Sequence, residues 1–166
     1  MSRRVFAVKR NILPDYKYGL VVLSRFINNF MKSGNKFLAE KFAYKALDLL
    51  EKKHGLNSED AFCKAIENVK PNVEVKPVRI GGATYQVPVL VADKRSEVLA
   101  IKWIINAAKS YSGNSIYIKI AESLFDAYNK RGAAYKKRED IHKMAESNKA
   151  FAHFAQKRVS KVRESI

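Results

Sequence analysis

The chain is short of several things. It has one cysteine, four prolines and seven glycines, and half as many acidic as basic residues, 16 against 32. A single cysteine, Cys63, excludes an intramolecular disulfide. It follows Phe62 and stands just before Ala65 and Ile66, the place of a small buried hydrophobe. No activating neighbour stands beside it, so a redox or catalytic thiol is not expected. No apolar run approaches the roughly 18 residues that span a bilayer. The opening stretch, MSRRVFAVKRNILPD, lacks the apolar core of a secretory signal. Its arginines are those of a transit peptide, but Asp15 comes soon and serines are few, so it reads as a mature basic arm. Internal repeats and low-complexity segments are missing too.

What is present is a globular composition with an uneven charge. The 166 residues suit one domain with a sizeable core, and 47% are hydrophobic. The net charge of +16 points to nucleic acid or an anionic surface. Its distribution is more telling. Residues 1–17, 70–95 and 130–166 carry +4, +3 and +7, while 18–69 and 96–129 are nearly balanced. A neutral body with three basic projections is the footprint of a polyphosphate-binding protein.

Apolar spacing from Tyr18 to Met31 predicts a first helix with Leu20, Leu23, Ile27 and Met31 on one stripe. Asn35 is a cap for a second helix running to about Lys53 and ended by Gly55. Asn57 or Ser58 caps a third, with Glu59 and Asp60 in its first turn, and Pro71 stops it. The period then becomes two: NVEVKPVRIGGATYQVPVLV reads as a two-stranded ribbon turning at Gly81-Gly82. Pro77 and Pro88 argue against a central strand. Asp93 or Ser96 opens a fourth helix containing Trp103. Asn114 or Ser115 caps a fifth, closed by Gly132. The sixth, about Ala133 to Ser147, has only a thin apolar stripe of Ala134, Ile141 and Ala145, so it lies at the surface or against a charged partner. The expected fold is mainly α: a six-helix, bundle-like body with the ribbon protruding between the third and fourth helices.

Catalytic and metal-binding patterns find little support. Glu139 and His142 have the spacing of a di-iron Glu-x-x-His pair, but no second copy exists; a surface charge pair is the simpler reading. No Gly-Lys-Ser/Thr follows Gly81-Gly82, and no Gly-x-Ser-x-Gly element is present. The basic groups have a coherent use. Arg3, Arg4, Lys9 and Arg10 on an extended arm can follow phosphates. Lys76 and Arg79 near the ribbon tip, with Tyr85 close by, make a finger for a groove. Lys136, Lys137, Arg138 and Lys143 charge the sixth helix broadly, with Lys136 and Lys143 on one face. Arginine binds phosphate bidentately and stacks on bases, whereas lysine acts as a point charge. No helix-turn-helix, zinc-finger, basic-zipper or RNA-recognition-motif signature decides between DNA and RNA. Arms and ribbons read the shape of folded RNA more than its sequence. A DNA-packaging or repressor-like protein and a nuclease or RNA-modifying enzyme are the rival readings. A membrane-surface role is weaker, because the sixth helix lacks a broad apolar face.

Four ordered motifs carry a resemblance across nearly the whole chain, from Arg3 to Phe154. They are RNILPD from Arg10, AFCKAIENVKPNVEVKPVRIGGATYQVPV from Ala61, LAIKWIINAAK from Leu99 and YKKREDIHKMAESNKAFAH from Tyr135. The chain resembles the small-subunit ribosomal protein seven family in its bacterial or organellar form. It departs at Gly34-Asn35-Lys36, where the family usually has Gly-Lys-Lys or Gly-Lys-Arg. It is also poorer in arginine around Val91 to Arg95, and its tail from Ala155 runs past the shared motif.

The resemblance implies one rRNA-binding domain over 1–154, with an arm (1–17), a ribbon (72–91) and a basic extension (155–166). It implies a structural, cofactor-free constituent of the small ribosomal subunit that binds the 3′ major domain of its rRNA and nucleates head assembly. Such a protein sits at the subunit interface near exit-site tRNA and mRNA, beside small-subunit ribosomal proteins nine and eleven. It works without membrane or homo-oligomer, in a bacterial cytoplasm or an organelle matrix or stroma. By motif position, Arg3, Arg4, Lys9, Arg10, Lys36, Lys76, Lys94, Arg95, Lys102, Lys136 and Lys137 would contact rRNA. Arg79, Gly81, Gly82, Tyr85, Arg138, His142, Lys143 and Lys149 would face the exit site. Truncating the ribbon cations (Arg79→Ala with Lys76→Ala) should spare the fold, whereas Trp103→Ala should cost about 3–5 kcal/mol if the indole is fully buried.

Overall fold

A computed structural model of the protein describes residues 11–113 and 115–154. Along the chain come α1 (Val21–Phe30), α2 (Lys36–His54), α3 (Ser58–Val69), β1 (Val73–Ile80), β2 (Ala83–Leu90), α4 (Asp93–Ser110), α5 (Ile116–Tyr128) and α6 (Gly132–Ser147). A short 3-10 turn, Lys149–Phe151, follows. The expected mainly helical body with one protruding antiparallel ribbon is what forms.

The predicted stripes meet in one core. Leu23, Phe26 and Ile27 of α1 lie against Ala43, Leu47 and Leu50 of α2 and Phe62 and Ile66 of α3. Ile101, Ile104, Ile120 and Leu124 complete it from α4 and α5. Phe26 and Phe62 meet edge to face at 5.7 Å, the arrangement the ring quadrupole favours. Alanines of α2 and α3 (Ala39, Ala43, Ala46, Ala65) are buried in that core. No helix among the described residues is long and apolar enough to cross a membrane.

Local punctuation explains most boundaries. The side chain of Asn35 caps α2 through the Leu38 N–H at 3.1 Å, and that of Asn57 caps α3 through the Glu59 N–H. At the ribbon tip Ile80 pairs with Ala83, leaving Gly81 and Gly82 as a two-residue loop with φ of 56° and 90°. Positive φ at both positions is the type I′ hairpin requirement, which glycine meets without a Cβ penalty.

Three expectations need correction. The first helix begins at Val21, not Tyr18, because Asp15 folds the preceding residues into a turn: its Oδ2 accepts the Lys17 and Tyr18 N–H groups. Gly132 does not close α5, which ends at Tyr128; it opens α6 at φ 80°, where an added Cβ would meet the Asp126 Cβ at 2.9 Å. Trp103 is only half-buried, packed on the edge of the core, so the cost expected of a fully buried tryptophan does not apply to it.

Candidate nucleic-acid interface

Only Ala134 of the sixth helix joins the core, with Ala145 also buried; the rest of the helix is too polar to enter it. Instead it lies along both ribbon strands, and the turn after it packs on β2. Two contacts fasten the ribbon. At its base the Asn72 N–H donates to His142 Nε2 at 3.2 Å. Burial, and then the nearby Arg138 charge, hold the His142 imidazole below its ordinary pKa, which suits a neutral ring accepting a hydrogen bond. Further out, the Tyr85 ring meets Phe151 at 5.2 Å and Phe154 at 5.6 Å. Phe151 and Phe154 stack nearly parallel, 13° apart. The ribbon and the C-terminal segment, 60-odd residues apart in sequence, therefore form one surface.

The predicted site residues fall into different positions on that surface. Arg79 is exposed beside the tip, opposite Thr84, with Gly81 and Gly82 beyond it. Lys76 is not near the tip. It lies in mid-strand, opposite Val87, and its Nζ is 2.6 Å from Glu74 Oε1. Arg95 reaches the other oxygen of the same carboxylate at 3.4 Å, tying the ribbon to the first turn of α4. Burial would push the Glu74 carboxyl up, but the Lys76 hydrogen bond and the Lys76 and Arg95 charges outweigh it and hold the pKa below the usual value. Two of the expected phosphate contacts thus share an internal counter-charge. Lys36 opens α2 and pairs with Glu40 at 3.4 Å; α2 packs chiefly on α1, α3 and α5.

Other cations carry no such partner. Arg79, Lys94, Lys102, Lys136, Lys137, Lys143 and Lys149 are exposed and make no ion pair among the described residues. Arg138 is half-buried with its guanidinium 5.4 Å from the Tyr135 ring centre. Its Nε is buried without a partner among the described residues. Arg3, Arg4, Lys9 and Arg10 lie outside the described residues, as does the extension from 155 to 166.

Among the described residues, no group of three or more His, Cys, Asp or Glu side chains could hold a metal ion. Burial, reinforced by Glu67, Asp60 and Glu59, raises the Cys63 pKa, so its thiol stays protonated. The chemistry this surface offers is binding of anions and of flat rings.

Two features escaped the sequence reading. Asp15 is buried, and besides its turn it accepts the Tyr44 hydroxyl at 2.8 Å. Arg25 of α1 donates to Glu97 of α4 at 2.7 Å, a largely buried pair whose Glu97 Oε1 has no partner among the described residues. Neither has a local signal, because the partners are 29 and 72 residues away. The Tyr85 cluster did leave one: Phe151 and Phe154 stand at i, i+3 in a polar stretch.

Comparison with known proteins adds an independent line. Residues 2–149 match the family model described as ribosomal protein S7p/S5e. Over 159 residues the chain is 55% identical to the small ribosomal subunit protein uS7 of Rickettsia typhi (strain ATCC VR-144 / Wilmington), covering 96% of this chain and 99% of that one. The uS7 of Rickettsia rickettsii (strain Sheila Smith) is 56% identical with the same coverage. That of Rickettsia felis (strain ATCC VR-1525 / URRWXCal2) is 55% identical, with 96% of this chain and all of the relative covered.

Proposed function

The chain belongs to the ribosomal protein S7p/S5e family, whose members are non-enzymatic structural components of the small ribosomal subunit, and we propose that it binds small-subunit rRNA directly. Its target is the 3′ major domain, where it nucleates assembly of the subunit head. The ribbon and α6 face exit-site tRNA and mRNA at the subunit interface, and small-subunit ribosomal proteins nine and eleven are its neighbours. In this reading residues 1–154 act as one domain with the arm 1–17, in the bacterial cytoplasm.

The observation that supports the reading best is the set of cations on the ribbon, α4 and α6 that have no ion partner among the described residues, held around an apolar core. Lys94, Lys102, Lys136 and Lys137 contact rRNA phosphates, joined by Arg3, Arg4, Lys9 and Arg10 on the arm. Lys36, Lys76 and Arg95 share that role while keeping their internal carboxylates. Arg79, Gly81, Gly82, Tyr85, Arg138, His142, Lys143 and Lys149 make up the side toward the exit site. Each cation that reaches a phosphate releases a counterion, so affinity falls with salt.

Binding to the isolated 3′ major domain, across a salt series and against excess duplex DNA and unrelated folded RNA, tests this. Tight binding that survives both competitors is the expected result. Loss of binding to either competitor, or a nearly flat salt response, would remove the assembly role.

A further inference from the structure

We propose that the groove between α4 and α6 is a nucleotide subsite, which seats one unstacked RNA base against the Trp103 indole with Lys137 beside the adjoining phosphate. The inference rests on the rRNA-binding reading and adds a site to it. Four residues of α4 line the groove at helical spacing (Trp103, Asn106, Ala107 and Ser110), and Ala133 and Lys137 face them from α6. The two alanines keep both walls low, which opens about 270 Å³. That is at or below the small end of ligand clefts, which hold roughly 300–1,000 Å³, so it suits a single ring system rather than a helix or an acyl chain.

The indole is placed to be a platform. Trp103 packs on the core, is partly buried, and lines the groove. No aromatic ring or cation stacks on it among the described residues. Its N–H makes no hydrogen bond among the described residues and is not one of the buried orphan atoms, so it is open to a ligand acceptor. Charge selects the occupant. No acidic residue lines the groove, and Lys137 is exposed and unpaired among the described residues. Lys102 and Lys109 stand one turn either side of Asn106 on α4, both exposed. An aromatic wall, an amide and a rim of cations are what a single-stranded nucleotide needs: ring face, base edge and phosphate.

Trp103 is the chain's one tryptophan, so its emission reports on this groove alone. The full chain is titrated with the isolated 3′ major domain RNA, with RNA anisotropy and tryptophan emission followed together. Quenching that saturates with the anisotropy is expected. Trp103→Ala could disturb the fold, so the decisive variant is Ala133→Leu, at an exposed position that fills the groove and leaves Trp103 in place. It should weaken RNA binding roughly tenfold without changing the salt slope, since stacking is lost and phosphate contacts are kept. Unchanged emission at saturation, or wild-type affinity in Ala133→Leu, would overturn the subsite while rRNA binding stands. Failure of the wild-type chain to bind this RNA would instead take down the reading beneath it.

Discussion

At the scale of single residues, buried polar groups carry more of the specification than their number suggests. The Asp15 carboxylate accepts two backbone N–H groups and the Tyr44 hydroxyl, so it sets both the start of α1 and the docking of α2. Burial, and next this hydrogen bond, push the Tyr44 phenol well above its usual pKa. Asp15→Ala should lower stability by about 1.5–3 kcal/mol, the range for hydrogen bonds to a charged acceptor, read as a shift of the urea midpoint. Asp15→Asn should recover part of it, because the amide oxygen still accepts. Equal losses in the two would show that the carboxylate is not the organiser. Trp103→Ala should cost less than about 3 kcal/mol, since the indole is only partly buried at the edge of the core. The helix caps at Asn35 and Asn57 were legible in the sequence because a cap and its N–H lie within three residues. Asp15 and Glu97 were not, because a tertiary partner 29 or 72 residues away leaves no periodicity behind.

At the scale of elements, the ribbon is the part that needs explaining. An isolated two-stranded hairpin is marginal in water. Alternation and Gly81-Gly82 announced its existence and register, yet nothing in either said that α6 would lie along it. That docking depends on Tyr85 with Phe151 and Phe154 and on Asn72 with His142, while Glu74 with Arg95 ties the ribbon to α4. Phe151→Ala with Phe154→Ala should leave the global unfolding midpoint within about 1 kcal/mol of wild type, because neither ring is in the core. It should raise amide exchange along the outer ribbon, from Val78 to Tyr85. Unchanged exchange would mean that the strands hold themselves.

The base of the ribbon should also respond to pH. The His142 pKa in the folded chain lies below its ordinary value of 6.5, so on acidification the unfolded chain takes up the proton first. Stability from this group is complete above that ordinary value and is lost as pH falls toward the folded one. Protonation also removes the acceptor for the Asn72 N–H. The protection of the Asn72 amide, corrected for its intrinsic exchange rate, should therefore fall in the acid window below that ordinary value. In His142→Gln, which accepts but does not titrate, the dependence should flatten over that window. Glu74, whose pKa is depressed, keeps its contribution above about 4.5 and loses it only in stronger acid.

At the scale of the whole molecule, the charge is divided between cations that serve the fold and cations left over. The total of +16 and its three clusters were readable from composition. Which members are spoken for was not, because pairing is a tertiary fact. Lys76 and Arg95 share Glu74, and Lys36 holds Glu40, whereas Arg79, Lys137 and Lys149 face solvent with no ion partner among the described residues. A counterion already supplied by the protein need not be released when RNA arrives, so paired and unpaired lysines should differ in the salt dependence of binding. Replacing Lys94, Lys102 and Lys137, equally unpaired among the described residues, together by alanine should reduce the slope of log rRNA affinity against log salt by about 2–3, near one unit per lost phosphate contact. Replacing Lys36, Lys76 and Arg95 together should reduce it by clearly less. It should also loosen the ribbon base, because Glu74 then loses both of its cations. If the two triple variants shift the slope equally, internal pairing does not set the RNA-binding electrostatics. Binding would then follow total charge alone.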